Sequence, residues 1–344
     1  MNEVLLERLC NVCGVSGDES RVRNIIAEEI KPFADSVEAD RLGNLTAFKK
    51  GKRSDKKIML SAHMDEVGFI ISKITENGYL RFKTVGGIDT RVILGKRVIL
   101  SGGTKGIIGV KAIHLLSEGE RREVPKVSEL YIDIGADTKA EAEKYTFIGD
   151  YAAFDTEFEH LGGSRIKAKA IDDRAGCAVL AGLLNEAPEY DMYACFTVQE
   201  EVGLRGSGVC AYRLRPDAAL VLESTTCSDV YKTKPGEQVT ICGGGAALSF
   251  MDGRTITAAE HLNELIRMAE RNKIPVQLKK TTMGGNDAGS IHLAAGGIVT
   301  ASVSVPCRYL HSPAGIADMK DIEAMESFAR AYIKEIGGIM KWSF

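Results

Sequence analysis

The sequence of 344 residues contains no run of about 18 apolar residues, the length that a membrane-spanning helix needs. Its first ten residues carry acidic side chains where a secretory signal would have a basic segment before an apolar one. The net charge is only -3, so no excess of basic residues favours nucleic acid or an acidic membrane surface as a partner. We therefore expect a cytoplasmic protein that binds neither nucleic acid nor membranes.

The sequence also lacks the two cysteine pairs that a typical zinc site needs. Eight cysteines are scattered, mostly through apolar contexts, which in a chain of this length is typical of reduced, buried thiols. Cys10 and Cys13 form one C-x-x-C motif, but no second pair completes a zinc site. The pattern favours a structural role for these two residues and leaves any other role open.

The hydrophobic pattern divides the chain into two kinds of region. Residues 1–72 and 164–344 alternate helical and β-like patterns, whereas residues 73–163 show short β-like runs separated by glycine-rich turns. A chain of this length accommodates two domains. The pattern predicts an α/β domain with a mixed sheet between helices, formed by the two outer segments, and a small all-β domain inserted at 73–163.

One apolar run ends in a histidine and a carboxylate. Ile58 to Ala62 predicts a buried strand that ends at His63, and Asp65 follows two residues later. Residues two apart in an extended segment point to the same side, so the imidazole and the carboxylate can lie together. This pair is typical of a metal-bound histidine whose other ring nitrogen is oriented by a carboxylate.

Acidic and histidine residues follow other apolar runs in the same way. Ligands bind beyond the carboxyl ends of parallel strands, so we expect these residues to meet at one edge of the sheet. The residues concerned are Asp172, at the start of a predicted helix, Glu200 and Glu201, Glu223 and His311.

Each of these residues also has a simpler interpretation. Asp172 or Asp173 can cap a helix, and for Asp173 a cap or a structural partner for Arg174 is the preferred interpretation. Glu200 and Glu201 can form a solvated turn. Glu223 or His311, taken singly, is more often a surface residue. Because acidic or histidine residues follow apolar runs at several places in the chain, a shared site is favoured over these separate interpretations.

The charges of the proposed ligands indicate two metal ions. The carboxylates of Asp172, Glu201 and Glu223 carry three negative charges, and a bridging hydroxide would balance the four positive charges of two divalent cations. Carboxylate and imidazole ligands suit zinc, with cobalt or manganese as alternatives. Glu200, which is not needed as a ligand, is the predicted general base.

Four segments resemble the tetrahedral (TET) aminopeptidase family, which includes glutamyl and leucyl aminopeptidases and "endoglucanase-like" metallopeptidases. They are Ser61–Phe69, Ala170–Gly176, Thr197–Gly206 and His311–Pro313. The resemblance extends over nearly the whole chain. It implies a phosphorylase/hydrolase-like catalytic domain, an inserted PDZ-like or barrel-like domain that serves in dimerisation and oligomerisation, and dimers that assemble into tetrahedral dodecamers.

The resemblance also implies a role for each site residue. Asp172 would bridge the two metals, His63 and Glu223 would complete one site, and Glu201 and His311 the other. Glu200 would be the general base, and Asp65 would orient His63.

The chain departs from the family pattern in two places. Glu223 stands where many relatives have Asp, and Ala314–Gly315 stands where relatives often have an acidic residue. Gly284–Ala288 resembles a family loop near the substrate. In that loop Asp287 either binds the peptide amine or is a turn residue.

The sequence thus predicts a metal-dependent aminopeptidase that releases N-terminal residues from short peptides. A di-metal deacylase or carboxypeptidase would use the same ions. A glycosidase would need two metal-free carboxylates on either side of a sugar bond. A non-catalytic assembly protein would not need Glu200 together with every ligand.

Overall fold

A computed structural model describes residues 1–339, which fold into a mixed α/β domain and a β-barrel. The helices are α1 (Glu3–Asn11), α2 (Ser20–Ile30), α3 (Lys139–Ala142), α4 (Ile171–Leu183), α5 (Arg205–Leu214), α6 (Ala259–Arg271), α7 (Ala288–Ile291) and α8 (Met319–Ile339). The strands are β1 (Ser36–Ala39), β2 (Leu45–Lys49), β3 (Arg53–His63), β4 (Gly68–Ile74), β5 (Leu80–Val85), β6 (Arg97–Leu100), β7 (Lys105–Gly109), β8 (Tyr131–Asp133), β9 (Tyr151–Phe154), β10 (Glu159–His160), β11 (Arg165–Ala168), β12 (Tyr190–Thr197), β13 (Ala218–Thr226), β14 (Ala246–Leu248), β15 (Val276–Leu278), β16 (Val299–Arg308) and β17 (Gly315–Asp318).

The large sheet is mixed, which confirms the predicted fold class. Its strands lie in the order β1-β2-β12-β3-β13-β16-β17-β11-β10, and β14 and β15 continue from β16. The four central strands β12, β3, β13 and β16 run parallel, whereas β2 and β17 flank them antiparallel. The carboxyl ends of the four parallel strands therefore share one edge, where α/β proteins bind ligands.

The apolar runs of the sequence supply the core on both sides of this sheet. Ile58 to His63 of β3 are buried, as a central parallel strand covered on both faces requires. The helix α4 packs against β3 and β13 and buries most of its residues, and α8 adds a further apolar face. This core holds the strand ends in fixed positions.

The barrel is closed and antiparallel, with the strand order β4-β5-β8-β7-β6-β9. It has its own hydrophobic core, in which Phe69 lies edge-to-face against Phe82 and Phe154 at ring-centroid distances of 5.0 and 5.3 Å. Closure pairs every strand of this small sheet and leaves no open edge.

The strand pairing sets the barrel at 68–154, whereas the sequence pattern predicts an insertion at 73–163. The apolar run 67–72 resembles a catalytic-domain strand, but β4 pairs with β5 and β9 of the barrel. At the other end, β10 lies inside the predicted insertion but pairs with β11 in the large sheet. Hydrogen-bonding partners, which the sequence pattern does not contain, decide both boundaries.

Two elements of the catalytic segment also differ from the sequence pattern. The apolar run of β13 predicts a strand that ends at Leu222, but β13 continues to Thr226 because it pairs with β16 over its whole length. The helix α5 follows the Glu200–Glu201 turn and is not predicted from the pattern. In the part of the chain that the structure describes, no helix is long and apolar enough to span a membrane.

Candidate active site

The first half of the site is built around His63 at the end of β3. The side chain of His63 is 1% exposed, and its Nδ1 lies 3.1 Å from the backbone oxygen and 3.5 Å from the carboxylate of Asp65. Its Nε2 faces Asp172 Oδ1 at 3.3 Å and Glu223 Oε2 at 3.7 Å. The spacing of two between His63 and Asp65 thus brings the two side chains together as expected.

Glu223 reaches this position because two neighbouring strands separate. Pairing between β3 and β13 stops at Ser61 and Val221, two residues before His63 and Glu223. On its other side β13 continues alongside β16. Glu223 therefore lies within a strand, and not at a strand end as the sequence suggests, but the gap between β3 and β13 leaves room for its side chain to face His63.

The second half of the site is built around His311. Its Nε2 lies 3.4 Å from Asp172 Oδ2 and 3.2 Å from Glu201 Oε1. Its Nδ1 lies 3.0 Å from the backbone oxygen of Gly87, which follows β5 of the barrel. The barrel segment thus contributes a contact to the site, which the sequence does not reveal.

Asp172 lies between the two halves. Its Oδ1 faces His63 and its Oδ2 faces His311, as a carboxylate that bridges two cations would. Asp172 and Asp173 both depart from helical backbone angles at the start of α4. The structure therefore brings all five residues that the sequence proposes as metal ligands together around Asp172.

Asp65 connects His63 to the turn that carries the glutamate pair. Its Oδ1 accepts a hydrogen bond from the backbone N–H of Glu200, and its Oδ2 accepts bonds from the N–H of Glu201 and the hydroxyl of Ser16. Because β12 ends at Thr197, Glu200 and Glu201 lie in the turn that follows this strand. Asp65 therefore fixes both Glu200 and Glu201 as well as His63, and this second function is not evident from its spacing.

A buried ionic group that the sequence does not predict holds the Asp172 segment. Lys169 Nζ lies 2.7 and 2.9 Å from the two carboxylate oxygens of Glu66, and Arg174 Nη2 lies 3.3 Å from Glu66. Lys169 and Arg174 flank Asp172 in the chain, and Glu66 follows His63 by three residues. The ion pairs thereby connect the end of β3 to the start of α4. All three side chains are at most 3% exposed, so the loss of one partner would leave a buried charge unpaired.

Asp173 fits the helix-cap interpretation and not the alternative of a structural partner for Arg174. Its Oδ1 accepts the backbone N–H of Gly176, as a helix cap does, but Arg174 pairs with Glu66 and not with Asp173. Asp173 lies with His63 and Glu223 in one group of potential metal-ligating atoms, all within 4.8 Å of one another, and His63, Asp172 and Glu201 form a second such group. Asp173 is therefore an additional acidic residue beside the first half of the site.

The electrostatics of this cluster favour positive charge. Burial raises the pKa of Glu223 and of Glu200 well above the ordinary value, and neighbouring carboxylates add to the effect. Burial lowers the pKa of His311, but the ion pairs with Asp172 and Glu201 outweigh it and raise the pKa to about 11. The carboxylates thus stabilise a cation at this point, which is the property that a metal site requires.

The cluster opens into a cavity of about 620 Å³. His63, Asp172, Glu200, Glu201, Glu223 and His311 all line it. Asp287 does not line the cavity: its side chain is fully buried and accepts a hydrogen bond from the hydroxyl of Thr197, while its neighbour Asn286 reaches the cavity. The structure thus gives no support to binding of the peptide amine by Asp287.

Comparison with known proteins agrees with this geometry. The family model of the M42 glutamyl aminopeptidases matches residues 43–328. A provisionally named aminopeptidase from Acetivibrio thermocellus is 42% identical over 320 residues, which cover 92% of this chain and 94% of that protein. A glutamyl aminopeptidase from Lactococcus lactis is 31% identical, covering 96% and 95% of the two chains, and a lysyl aminopeptidase from Pyrococcus furiosus is 28% identical, covering 96% of each.

Solved structures show the same fold. A TET aminopeptidase from a marine sediment archaeon, Thaumarchaeota archaeon SCGC AB-539-E09, superposes with a TM-score of 0.94 at 35% identity, with 98% of each chain covered. The TET1 peptidase of Pyrococcus horikoshii, which can assemble into a tetrahedron or a large octahedral shell, superposes with a TM-score of 0.84 at 33% identity, covering 97% of this chain and 99% of that one. Both likenesses extend over the barrel as well as the α/β domain.

Proposed function

Because this chain belongs to the M42 glutamyl aminopeptidase family, we propose that it is a metal-dependent aminopeptidase that hydrolyses the N-terminal peptide bond of short peptides. The observation that carries this proposal is the position of Asp172, whose two oxygens face two different histidines. A carboxylate so placed, with one further acid beside each histidine, suits a pair of divalent ions.

The donor atoms of the site fit such ions. His63, Asp172 and Glu223 would hold one ion, and Asp172, Glu201 and His311 the other. Glu223 Oε1 is buried and has no hydrogen-bond partner among residues 1–339. A buried carboxylate oxygen needs a donor or a cation. The absence of thiolate ligands from this group suits zinc, cobalt or manganese.

When bound, the ions would polarise the scissile carbonyl and make the attacking water acidic enough to react at neutral pH. Glu200 lines the cavity beside the proposed ligands. Within residues 1–339 its side chain makes no hydrogen bond or ion pair. We assign to Glu200 the acceptance of a proton from the attacking water and its delivery to the leaving amine. The bond from the Glu200 N–H to Asp65 keeps the Glu200 backbone at the site.

Replacement of Glu200 by Gln tests this proposal. The change keeps the size of the side chain and removes its ability to accept a proton, so we expect unchanged metal content and turnover lower by orders of magnitude. Metal content would be measured by elemental analysis and turnover with amino-acid p-nitroanilides. Glu270→Gln, on the exposed face of α6, is the matched control and should keep full turnover.

Two results would contradict this assignment. Unchanged turnover in the Glu200→Gln variant would remove Glu200 as the base. Release of product from N-acyl amino acids but not from p-nitroanilides with a free amine would show a deacylase in place of an aminopeptidase.

We also propose that the chain is a homo-oligomer and that the barrel mediates its assembly into dimers and then a tetrahedral dodecamer. Support comes from solved relatives that form a dodecamer, a tetrahedron or an octahedral shell. Further support comes from large apolar side chains that the barrel exposes, of which Phe147 and Ile148 are 66% and 64% exposed. Exposed apolar patches of this kind mark association surfaces.

The double substitution Phe147→Asp and Ile148→Asp should therefore shift the particle mass, measured by light scattering during gel filtration, to a smaller species. A double variant that elutes at the wild-type mass would remove this surface from the assembly.

A further inference from the structure

Two cysteines lie against each other at the base of a loop beside the active-site cavity. Cys227 directly follows β13, and Cys242 lies shortly before β14. The loop between them, residues 228–241, carries Val239, which lines the cavity. Cys227 and Cys242 are 3% and 5% exposed, but Ile241, next to Cys242 in the chain, is 44% exposed. The pair therefore lies just below the protein surface.

Hydrogen bonds hold the two sides of the loop base together. The hydroxyl of Thr240 donates to the backbone oxygen of Thr226 at 3.0 Å. The sulfur of Cys227 lies 3.5 Å from the backbone oxygen of Thr240 and 3.1 Å from Asp229 Oδ1. The backbone N–H of Cys242 donates to Asp229 Oδ2 at 3.1 Å. These contacts place the two cysteines on facing segments, as a disulfide requires.

The surroundings of the two thiols make them chemically unequal. A hydrogen bond from the Cys227 thiol lowers the pKa of Cys242 in spite of burial, and the positive charge of Arg308 contributes. The same hydrogen bond raises the pKa of Cys227, and burial and the carboxylate of Asp229 add to the effect. Asp229 is itself fixed by two hydrogen bonds of 2.7 Å from Arg308. Because the thiolate is the nucleophile, Cys242 is the attacking thiol of the pair and Cys227 the resolving one.

We propose that Cys227 and Cys242 are a redox-sensitive pair that hydrogen peroxide converts into a disulfide. The Cys242 thiolate attacks one peroxide oxygen and breaks the O–O bond, which gives a sulfenic acid. The departing hydroxide takes up the proton that Cys242 released and becomes water. The sulfur of Cys227 then displaces the hydroxyl group of the sulfenic acid, which leaves as a second water with the proton of Cys227.

The balance of this reaction is complete. The two thiols together lose two electrons, and one peroxide molecule becomes two water molecules. The new S–S bond closes the loop 228–241 at its base and thereby ties down the segment that carries Val239 of the cavity wall.

A second cysteine pair provides the comparison within the same chain. The thiols of Cys195, in β12, and Cys210, in α5, also interact by a hydrogen bond. Both residues are 0% exposed in a hydrophobic cluster, and the bond to Cys210 together with burial raises the pKa of Cys195 well above its ordinary value. A pair that is protonated and fully buried should remain reduced where Cys227 and Cys242 react.

Peptide mapping of the full-length wild-type protein tests the proposal. The protein, supplied with zinc, is treated with hydrogen peroxide, denatured, alkylated with iodoacetamide and digested with trypsin. The tryptic fragments 214–232 and 233–254 contain one cysteine each. Mass spectrometry should show that both are replaced by one cross-linked species, two hydrogen atoms lighter than their sum, which dithiothreitol separates again. Cys195 and Cys210 should be recovered alkylated.

Variants assign the order of the two steps. In Cys227→Ala the sulfenic acid of Cys242 has no resolving thiol, so dimedone should trap it there. In Cys242→Ala neither the cross-link nor a trapped group at Cys227 should form. Cys210→Ala is the matched control and should give the wild-type cross-link.

Recovery of both fragments in alkylated form after peroxide treatment would overturn the proposal. So would a cross-link between Cys195 and Cys210 that forms as readily. Trapping at Cys227 in Cys242→Ala would overturn the assignment of Cys242 as the attacking thiol. The wild-type map needs no variant to fold, and none of these measurements depends on aminopeptidase activity.

Discussion

The two halves of the candidate metal site are constructed differently. His63 and Glu223 lie inside the gap between two strands, with side chains 1% and 4% exposed, and both belong to the α/β domain. His311 is 35% exposed, and its Nδ1 depends on the oxygen of Gly87 in the barrel segment. The first half is thus fixed within the α/β domain, whereas the second also requires the inserted barrel to be in position.

The largest effect should come from the residue that the two halves share. Asp172→Ala removes a carboxylate from both, so we expect the metal content to fall from two ions per chain towards none, with activity lost by orders of magnitude. Elemental analysis of the purified variant measures this. Retention of one full equivalent of metal would show that the two halves do not depend on a common ligand.

The loss of His63 and the loss of His311 should lower the free energy of unfolding by different amounts. His63→Ala removes the ion-pair partner of Glu223 within residues 1–339, and a buried group without a partner costs about 1–3 kcal/mol of the free energy of unfolding. His311→Ala affects a partly exposed side chain and should cost much less. Thermal unfolding of both variants, prepared with chelator, should give a Tm several degrees lower for His63→Ala than for His311→Ala. Equal Tm values for the two variants would contradict the conclusion that the first half is the more deeply buried of the two.

A change in the barrel should affect only the second half. Gly86 has φ +80°, and a Cβ there would lie 2.7 Å from Val67 Cγ1, so Gly86→Ala displaces the segment that carries the Gly87 oxygen. We expect the metal affinity of the second half, around His311, to fall by about tenfold, in the range for loss of a contact that orients a ligand. Competition with a metal-binding dye measures both sites.

The control for this variant is Gly103→Ala in another barrel turn. Gly103 has φ +89° but nothing within 4 Å of the added Cβ, so the backbone strain is matched without the displacement. Equal metal affinities for the two variants would mean that the Gly87 contact does not support His311.

The smallest effect is expected outside both halves. Cys10 is buried, Cys13 is partly buried, and neither belongs to a group of metal-ligating atoms in residues 1–339. The double variant Cys10→Ala and Cys13→Ala should keep the wild-type metal content and activity. Loss of a metal equivalent would show that the C-x-x-C motif binds an ion.

Much of the site can be predicted from the sequence because its residues follow strong local patterns. His63, Glu200 and Glu201 come directly after, or close after, apolar runs, and the parallel arrangement of the central strands brings their ends to one edge. The barrel is evident from short β-like runs between glycine turns. Its strands β5 to β8 lie within residues 73–163, where the pattern predicts such strands.

What the pattern does not contain is which strand pairs with which. The position of Glu223 within β13, the barrel pairing of β4 and the ion pairs of Glu66 with Lys169 and Arg174 all depend on residues distant in the chain. The same holds for the contact of Gly87 with His311, which are 224 residues apart.

The sequence by itself thus determined the fold class and the family and supplied the candidate metal ligands, because hydrophobic periodicity and short motifs are local properties. Only the tertiary structure decided how these residues are supported and which segment belongs to the barrel. The physical reason is that pairing, burial and ionic contact are relations between distant segments, and they take definite form only when the chain is packed.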